Sequence, residues 1–246
     1  MTAVSAAEAA EAQIHVGWVV NASLRVISRR WFDLVLMALP FVALPQLVGG
    51  LLPPDQALLR PFAGIPSVVF IGGAALITHN ELAGRDRMAF AQLLRAGFRR
   101  FVTLWLISAI KTVAVGLGLV PGIVPGVVLL VAWMTAAAIA MVEDCGSTQA
   151  LVEAWSLTRG SRWRLAALLC VQAAAVAVIL LGFIIVATAL NLTLGVDDAK
   201  AVGALALDPI LAMAIQFVFA VVPAAAYVAL KIARHGSVEV VDQVFA

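Results

Sequence analysis

The stretch Trp163–Leu190 reads WRLAALLCVQAAAVAVILLGFIIVATAL and carries one charge beyond its first residue, Arg164. A helix crosses a hydrocarbon core of roughly 30 Å with about 20 mostly apolar residues, at about 1.5 Å per residue. This run is longer than that requirement, so it spans a bilayer with tilt or protrusion. Five further segments share its character: Phe32–Leu52, Phe62–Leu82, Phe101–Val120, Pro125–Val142 and Pro209–Ile232. The whole chain agrees, being 63% hydrophobic and 12% charged, against about a quarter charged in soluble domains. So few charges cannot cover a soluble surface, whereas lipid solvates an apolar exterior. The expectation is an all-α polytopic membrane protein of about six spans, with residues 1–246 forming one membrane domain.

The basic residues fix an orientation. Arg25, Arg29 and Arg30 precede the first span, and Arg85, Arg87, Arg95, Arg99 and Arg100 lie between the second and third. Arg159, Arg162 and Arg164 fall between the fourth and fifth, and Lys231 and Arg234 close the sixth. The opposite loops hold Arg60 and Lys200 alone, beside Asp55, Asp197, Asp198 and Asp208. Positive residues accumulate in cytoplasmic loops, so the arginine-rich end is expected in the cytoplasm. Six spans return both termini to that side. The first residues, with Glu8 and Glu11 and no basic residue, lack the positive start of a secretory signal.

The chain also repeats itself. Leu24-Arg25-Val26-Ile27-Ser28-Arg29-Arg30-Trp31 enters the first span, and Leu94-Arg95-Ala96-Gly97-Phe98-Arg99-Arg100-Phe101 enters the third. A looser copy runs from Ala150-Leu151 through Trp155 to Arg162-Trp163. Val16, Val20, Leu24, Ile27 and Trp31 recur at helical spacing, as do Phe90, Leu94, Phe98 and Phe101, which predicts an apolar stripe on each helix. Basic and aromatic residues beside such a stripe suit a helix lying in the headgroup layer. The expected unit is an interfacial helix plus a two-span hairpin, used three times over about 12–83, 86–145 and 147–233, with a tail at 234–246. Arg25, Arg29, Arg30, Arg95, Arg99, Arg100, Arg159, Arg162 and Arg164 then either anchor the bundle or recruit anionic headgroups, at about 1 kcal/mol per basic residue.

Lys111 is a charge at mid-span, where an ammonium costs several kcal/mol unless it snorkels, pairs or meets water. It is read either as snorkelling toward Gly116 and Gly118 or structurally paired, or as lining a ligand or ion pathway. His79-Asn80-Glu81 and Glu143-Asp144-Cys145 close two spans, and their acids are expected to pair with the interfacial arginines. Pro40 and Pro45, and Gly72-Gly73, predict kinks. The Gly- and Pro-rich turn from Gly116 to Gly126 predicts a shallow apolar connection. Cys145 and Cys170 read as ordinary thiols. His15, His79 and His235 form no ligand set by spacing, and no phosphate-loop, zinc-protease or nucleophile-elbow pattern occurs. Neither enzyme activity, cofactor, metal nor nucleic-acid partner is expected.

Pro121-Gly122-Ile123, Trp133, Glu143, Ala150-Leu151, Trp155, Leu157-Thr158, Gly160 and Trp163-Arg164 follow one another in an order that resembles the membrane domain attached to some bacterial glycerophosphoryl diester phosphodiesterases and its stand-alone relatives, the YciC-like inner-membrane proteins. The likeness is clearest from Gly116 to Leu168. It implies a bacterial inner-membrane protein with a part in envelope or lipid homeostasis, without the catalytic barrel of the fused proteins. Pro121, Gly122, Glu143, Trp155, Thr158 and Gly160 carry over in architectural roles. Three functions are therefore in play: a non-catalytic organiser of lipids or partner proteins, a transporter or channel using Lys111 and the kinked first two spans, and an accessory subunit docking through small residues such as Ala136–Ala138 or Ala173–Ala175.

Overall fold

A computed structural model describes residues 15–51, 64–120, 123–194 and 203–235. Among the described residues the chain is all helical. The elements are α1 (Val16–Ala38), a π turn (Leu39–Ala43), α2 (Leu44–Leu51), α3 (Ser67–Leu82), α4 (Phe90–Arg99), α5 (Phe101–Leu119) and α6 (Ile123–Ala132). They continue as α7 (Ala136–Val142), α8 (Ser147–Leu157), α9 (Arg162–Leu194), a second π turn (Gly203–Leu207) and α10 (Asp208–His235).

Among the described residues five helical segments are long and apolar enough to cross a membrane: Val16–Gly50, Phe101–Gly118, Val124–Val142, Arg162–Thr193 and Asp208–Arg234. The chain is a multi-span membrane protein. The segment expected as a second span, Phe62–Leu82, contributes the 16-residue α3, about 24 Å of helix, and Phe62 and Ala63 lie outside the described residues. α3 is the axis of the bundle. Thirteen of its sixteen residues are buried, and α10, α1, α7, α4 and α5 pack around it. A helix with neighbours on every side has no need of a polar face, which is why its apolar residues lack a one-sided pattern.

Gly72 and Gly73 do not kink α3, contrary to expectation. They let other helices approach: a Cβ on Gly72 would stand 2.6 Å from Leu104 Cδ1, and one on Gly73 would collide with Met37 Cε. The kink expected at Pro40 takes the form of the π turn Leu39–Ala43, which carries Pro40 near its start, because proline removes a donor from the ladder and widens the turn. The fourth span breaks at Trp133-Met134-Thr135 between α6 and α7. In the α5–α6 hairpin a Cβ on Gly118 would lie 3.1 Å from Gly126 Cα, so glycine on both strands of the hairpin allows the backbones to cross closely.

The apolar stripes of the two entry helices are half-buried or exposed, and other faces of those helices pack into the bundle. In the part of α1 before Arg29 the buried residues are Val19, Ala22, Ser23 and Val26, whereas Leu24 and, further on, Trp31 are exposed, Leu24 by 60%. In α4 Leu93 and Gly97 are buried, and Phe98 is exposed. The stripes read from the sequence thus lie partly on the outer surface of the bundle. In a bilayer an apolar face is as well satisfied by lipid as by protein, so hydrophobic spacing alone does not choose between them.

Candidate functional site

The arginine-bearing end is organised by two similar ion-pair clusters. The second arginine of each Arg-Arg pair marks a break in the helix. Arg30 has φ −114° and ψ 20° inside α1, and Arg100 has φ −102° and ψ 6° between α4 and α5. Arg30 Nε donates to Glu81 Oε2 at 2.5 Å, with Arg29 Nη1 3.5 Å from Oε1. Asp33 adds Arg30 and Arg87, at 3.7 and 3.4 Å. In the second cluster Arg100 Nε donates to Asp144 Oδ1 at 2.7 Å and Arg99 Nη2 to Oδ2 at 2.8 Å. Arg100 also donates to the backbone carbonyls of Asp144 and Cys145, at 2.5 and 3.3 Å. These bonds hold Asp144 at φ 52°, a left-handed conformation that non-glycine residues adopt infrequently. The Arg100 hydrogen bond, joined by Arg99, holds the Asp144 carboxyl below its ordinary range.

Glu143 departs from the expected pairing with the interfacial arginines. It turns into the bundle, where its Oε1 accepts from Tyr227 Oη at 2.8 Å and lies 2.7 Å from Lys231 Nζ. Lys231 Nζ also donates to Glu153 Oε1 at 3.1 Å. The His79 ring stands beside Tyr227, with centroids 6.4 Å apart. Burial pushes the Glu143 carboxyl up. Burial is also the largest influence on Glu153, but bonds from Glu143 and Lys231 overcome it and leave Glu153 below its usual range. The neighbouring Cys145 thiol is raised, first by burial and then by the charges of Glu143 and Glu153.

The third sequence copy is built differently. The Arg162 guanidinium lies 4.0 Å over the Trp155 ring, a cation–π contact. Thr158 is fully buried and its Oγ1 donates to the Ala154 carbonyl at 2.9 Å. Gly160 turns the chain into α9 at φ 91°, where a side chain is disfavoured. Arg25, Arg95, Arg159 and Arg164 are exposed and have no acidic partner within 4 Å among the described residues. Exposed Trp31, Phe98 and Trp163 occupy the same helices or their junctions with the spans. Pro121 and Gly122 lie outside the described residues.

A cavity of about 230 Å³ opens within the span region. Lys111 and Ser108 line it from α5, Gln172 from α9, Ile71 and Ala75 from α3, and Pro223 from α10. Of the two kinked segments expected to flank Lys111, α3 takes part, and neither α1 nor α2 lines the cavity. Lys111 is half-buried and makes no hydrogen bond or ion pair among the described residues. Gln172 Nε2 donates to the Val218 carbonyl at 3.1 Å.

Sequence reading did not single out Tyr227, Glu153, Ser108 or Gln172. Tyr227 is the chain's one tyrosine, four residues before Lys231 and hence on the same helix face, and that spacing was the available signal. Among the described residues no three His, Cys, Asp or Glu side chains are grouped to hold a metal. Comparisons with protein-family models, curated proteins and solved structures found no match to this chain.

Proposed function

We propose that this chain is a non-catalytic protein of the bacterial inner membrane that gathers anionic lipid headgroups at the cytoplasmic leaflet. The observation that carries this reading is the division among its arginines. Arg29, Arg30, Arg99 and Arg100 are paired with Glu81 or Asp144 and hold the fold. Arg25, Arg95, Arg159 and Arg164 are exposed and have no acidic partner among the described residues, beside exposed aromatic residues suited to the headgroup layer. Each such cation attracts an anionic surface by about 1 kcal/mol. The charge bias supports a cytoplasmic position for this end and both termini. The matching breaks at Arg30 and Arg100, and their matching acids, support an internal repeat. The likeness of Gly116–Leu168 to YciC-like proteins supports a part in envelope lipid homeostasis.

The test uses protein purified in an uncharged detergent and native mass spectrometry with phosphatidylglycerol or phosphatidylcholine. Wild type is expected to retain phosphatidylglycerol preferentially. The combined variant Arg25→Gln, Arg95→Gln, Arg159→Gln and Arg164→Gln is expected to lose that preference while remaining folded. Equal retention by variant and wild type would overturn the reading.

A second reading, an accessory subunit of a larger assembly, draws on α9. Its outer face is apolar along most of its length, with Ala173 and Ala174 exposed, small enough for close helix docking. Stoichiometric co-purification of a second membrane protein, lost in Ala173→Phe, is the result that favours it.

A further inference from the structure

We propose that the cavity at Lys111 is a binding site for an acyl oxyanion, an amphiphile with one anionic head and an aliphatic tail. This inference concerns the interior of the span region and does not rest on the surface-arginine reading.

The cavity exists because α5 leans on α6 and α3, whereas α10 leans on α3, α1 and α9. The α5–α6 hairpin thus stands off α10, leaving a gap backed by α3 and α7. Its volume of about 230 Å³ is well beyond the space that a single buried water needs. Most of its wall is aliphatic or aromatic, including Ile107, Leu130, Trp133 and Met134. An aliphatic tail fits such a wall, and a strongly hydrated solute does not.

The polar groups are few and placed together. Ser108 and Lys111 are three residues apart on α5, so they share one face, and Gln172 faces the same cavity from α9. Gln172 uses one N–H on Val218, which leaves its carbonyl and second N–H available. An ammonium in the bilayer interior costs several kcal/mol unless a counter-charge reaches it. Among the described residues no carboxylate does so. Lys231, the other lysine described, has Glu143 and Glu153. A ligand that brings its own anion removes the cost at Lys111, and a neutral amphiphile of equal length does not. That difference gives the site its selectivity.

The experiment measures binding of radiolabelled palmitate to purified protein in an uncharged detergent by scintillation proximity. Saturable binding is expected, with hexadecanol failing to displace it. Lys111→Met should weaken palmitate at least about tenfold, equivalent to about 1.4 kcal/mol, whereas Lys111→Arg should retain it. The thermal midpoint of ligand-free Lys111→Met should not fall, since no partner among the described residues is lost. Ala137→Phe, which fills the cavity and keeps the charge, should also abolish binding. The surface-arginine variant described above should bind palmitate as wild type does. Displacement by lysophosphatidate extends the site to acyl phosphates, and failure to displace confines it to carboxylates. Undiminished palmitate binding by either Lys111→Met or Ala137→Phe, or no saturable binding by wild type, would overturn the assignment.

Discussion

Lys231 Nζ lies 2.7 Å from Glu143 Oε1, and the two side chains are 8% and 5% exposed. A buried pair of this kind gains little net stability, because desolvation offsets the attraction, but losing one partner strands the other charge. Lys231→Met is therefore expected to destabilise the protein by about 3–5 kcal/mol. Adding Glu143→Gln removes the stranded carboxylate and should restore most of the loss. Thermal unfolding in detergent checks both. A double variant no more stable than the single one would show that Lys231 acts through packing instead.

The two arginine clusters should differ in weight. The Arg30 and Glu81 side chains are 14% and 11% exposed, whereas Asp144 is 59% exposed. Solvent screens the second pair far more than the first. Glu81→Gln is expected to cost about 2 kcal/mol, in the range for hydrogen bonds to charged groups. Asp144→Asn should cost about 1 kcal/mol or less. Denaturant titration of the two variants gives the order directly, and a larger loss at Asp144 would contradict it.

Acid should act on the Asp144 cluster in a defined direction. The folded pKa of Asp144 lies below its ordinary value of 3.8, chiefly through Arg100. A depressed carboxyl contributes stability that is present above the unfolded value and lost as pH falls through the folded one. Wild type should thus exceed Asp144→Asn in stability at neutral pH, and the gap should close as pH falls below 3.8. Paired unfolding curves across that range measure the convergence.

The turn into α9 depends on Gly160. At φ 91° an alanine is strained even though nothing within 4 Å would meet its Cβ. Gly160→Ala should cost about 1 kcal/mol or more, visible as a lower thermal midpoint. Gly146→Ala, also in open space but at φ −74°, should be close to neutral and serves as the comparison.

Those contrasts also separate what residue order reveals from what it conceals. Five of the six expected spans and the Arg-Arg entries were legible because hydropathy and charge are properties of neighbours along the chain. The central place of α3 was not, since Phe70, Ala74 and Ile77 look alike whether lipid or another helix faces them. The face of α1 that packs into the bundle was not legible for the same reason: Leu24 and Val26 are both apolar, yet Val26 is buried and Leu24 is not. Gly72 and Gly73 suggest bending to a reader of the sequence, and only the positions of Leu104 and Met37 reveal them as contact points. Glu143 and Asp144 are adjacent in sequence, but the left-handed turn at Asp144 sends one toward Arg100 and leaves the other on Lys231. Lys111 stands out in the sequence as a mid-span charge, but the cavity beside it is visible only from the spacing between α5 and α10.

The most direct test of the whole account is which membrane face each end of the bundle reaches. With Cys145→Ser and Cys170→Ser as background, single cysteines at the exposed positions Ser28, Ser156, Gly116 and Thr193 are treated with an impermeant maleimide in sealed right-side-out bacterial membrane vesicles. Gly116→Cys and Thr193→Cys are expected to react at once, and Ser28→Cys and Ser156→Cys after permeabilisation alone. Reaction of Ser28→Cys and Ser156→Cys from opposite faces, or of all four from outside, would contradict a bundle whose arginines gather at the cytoplasmic leaflet.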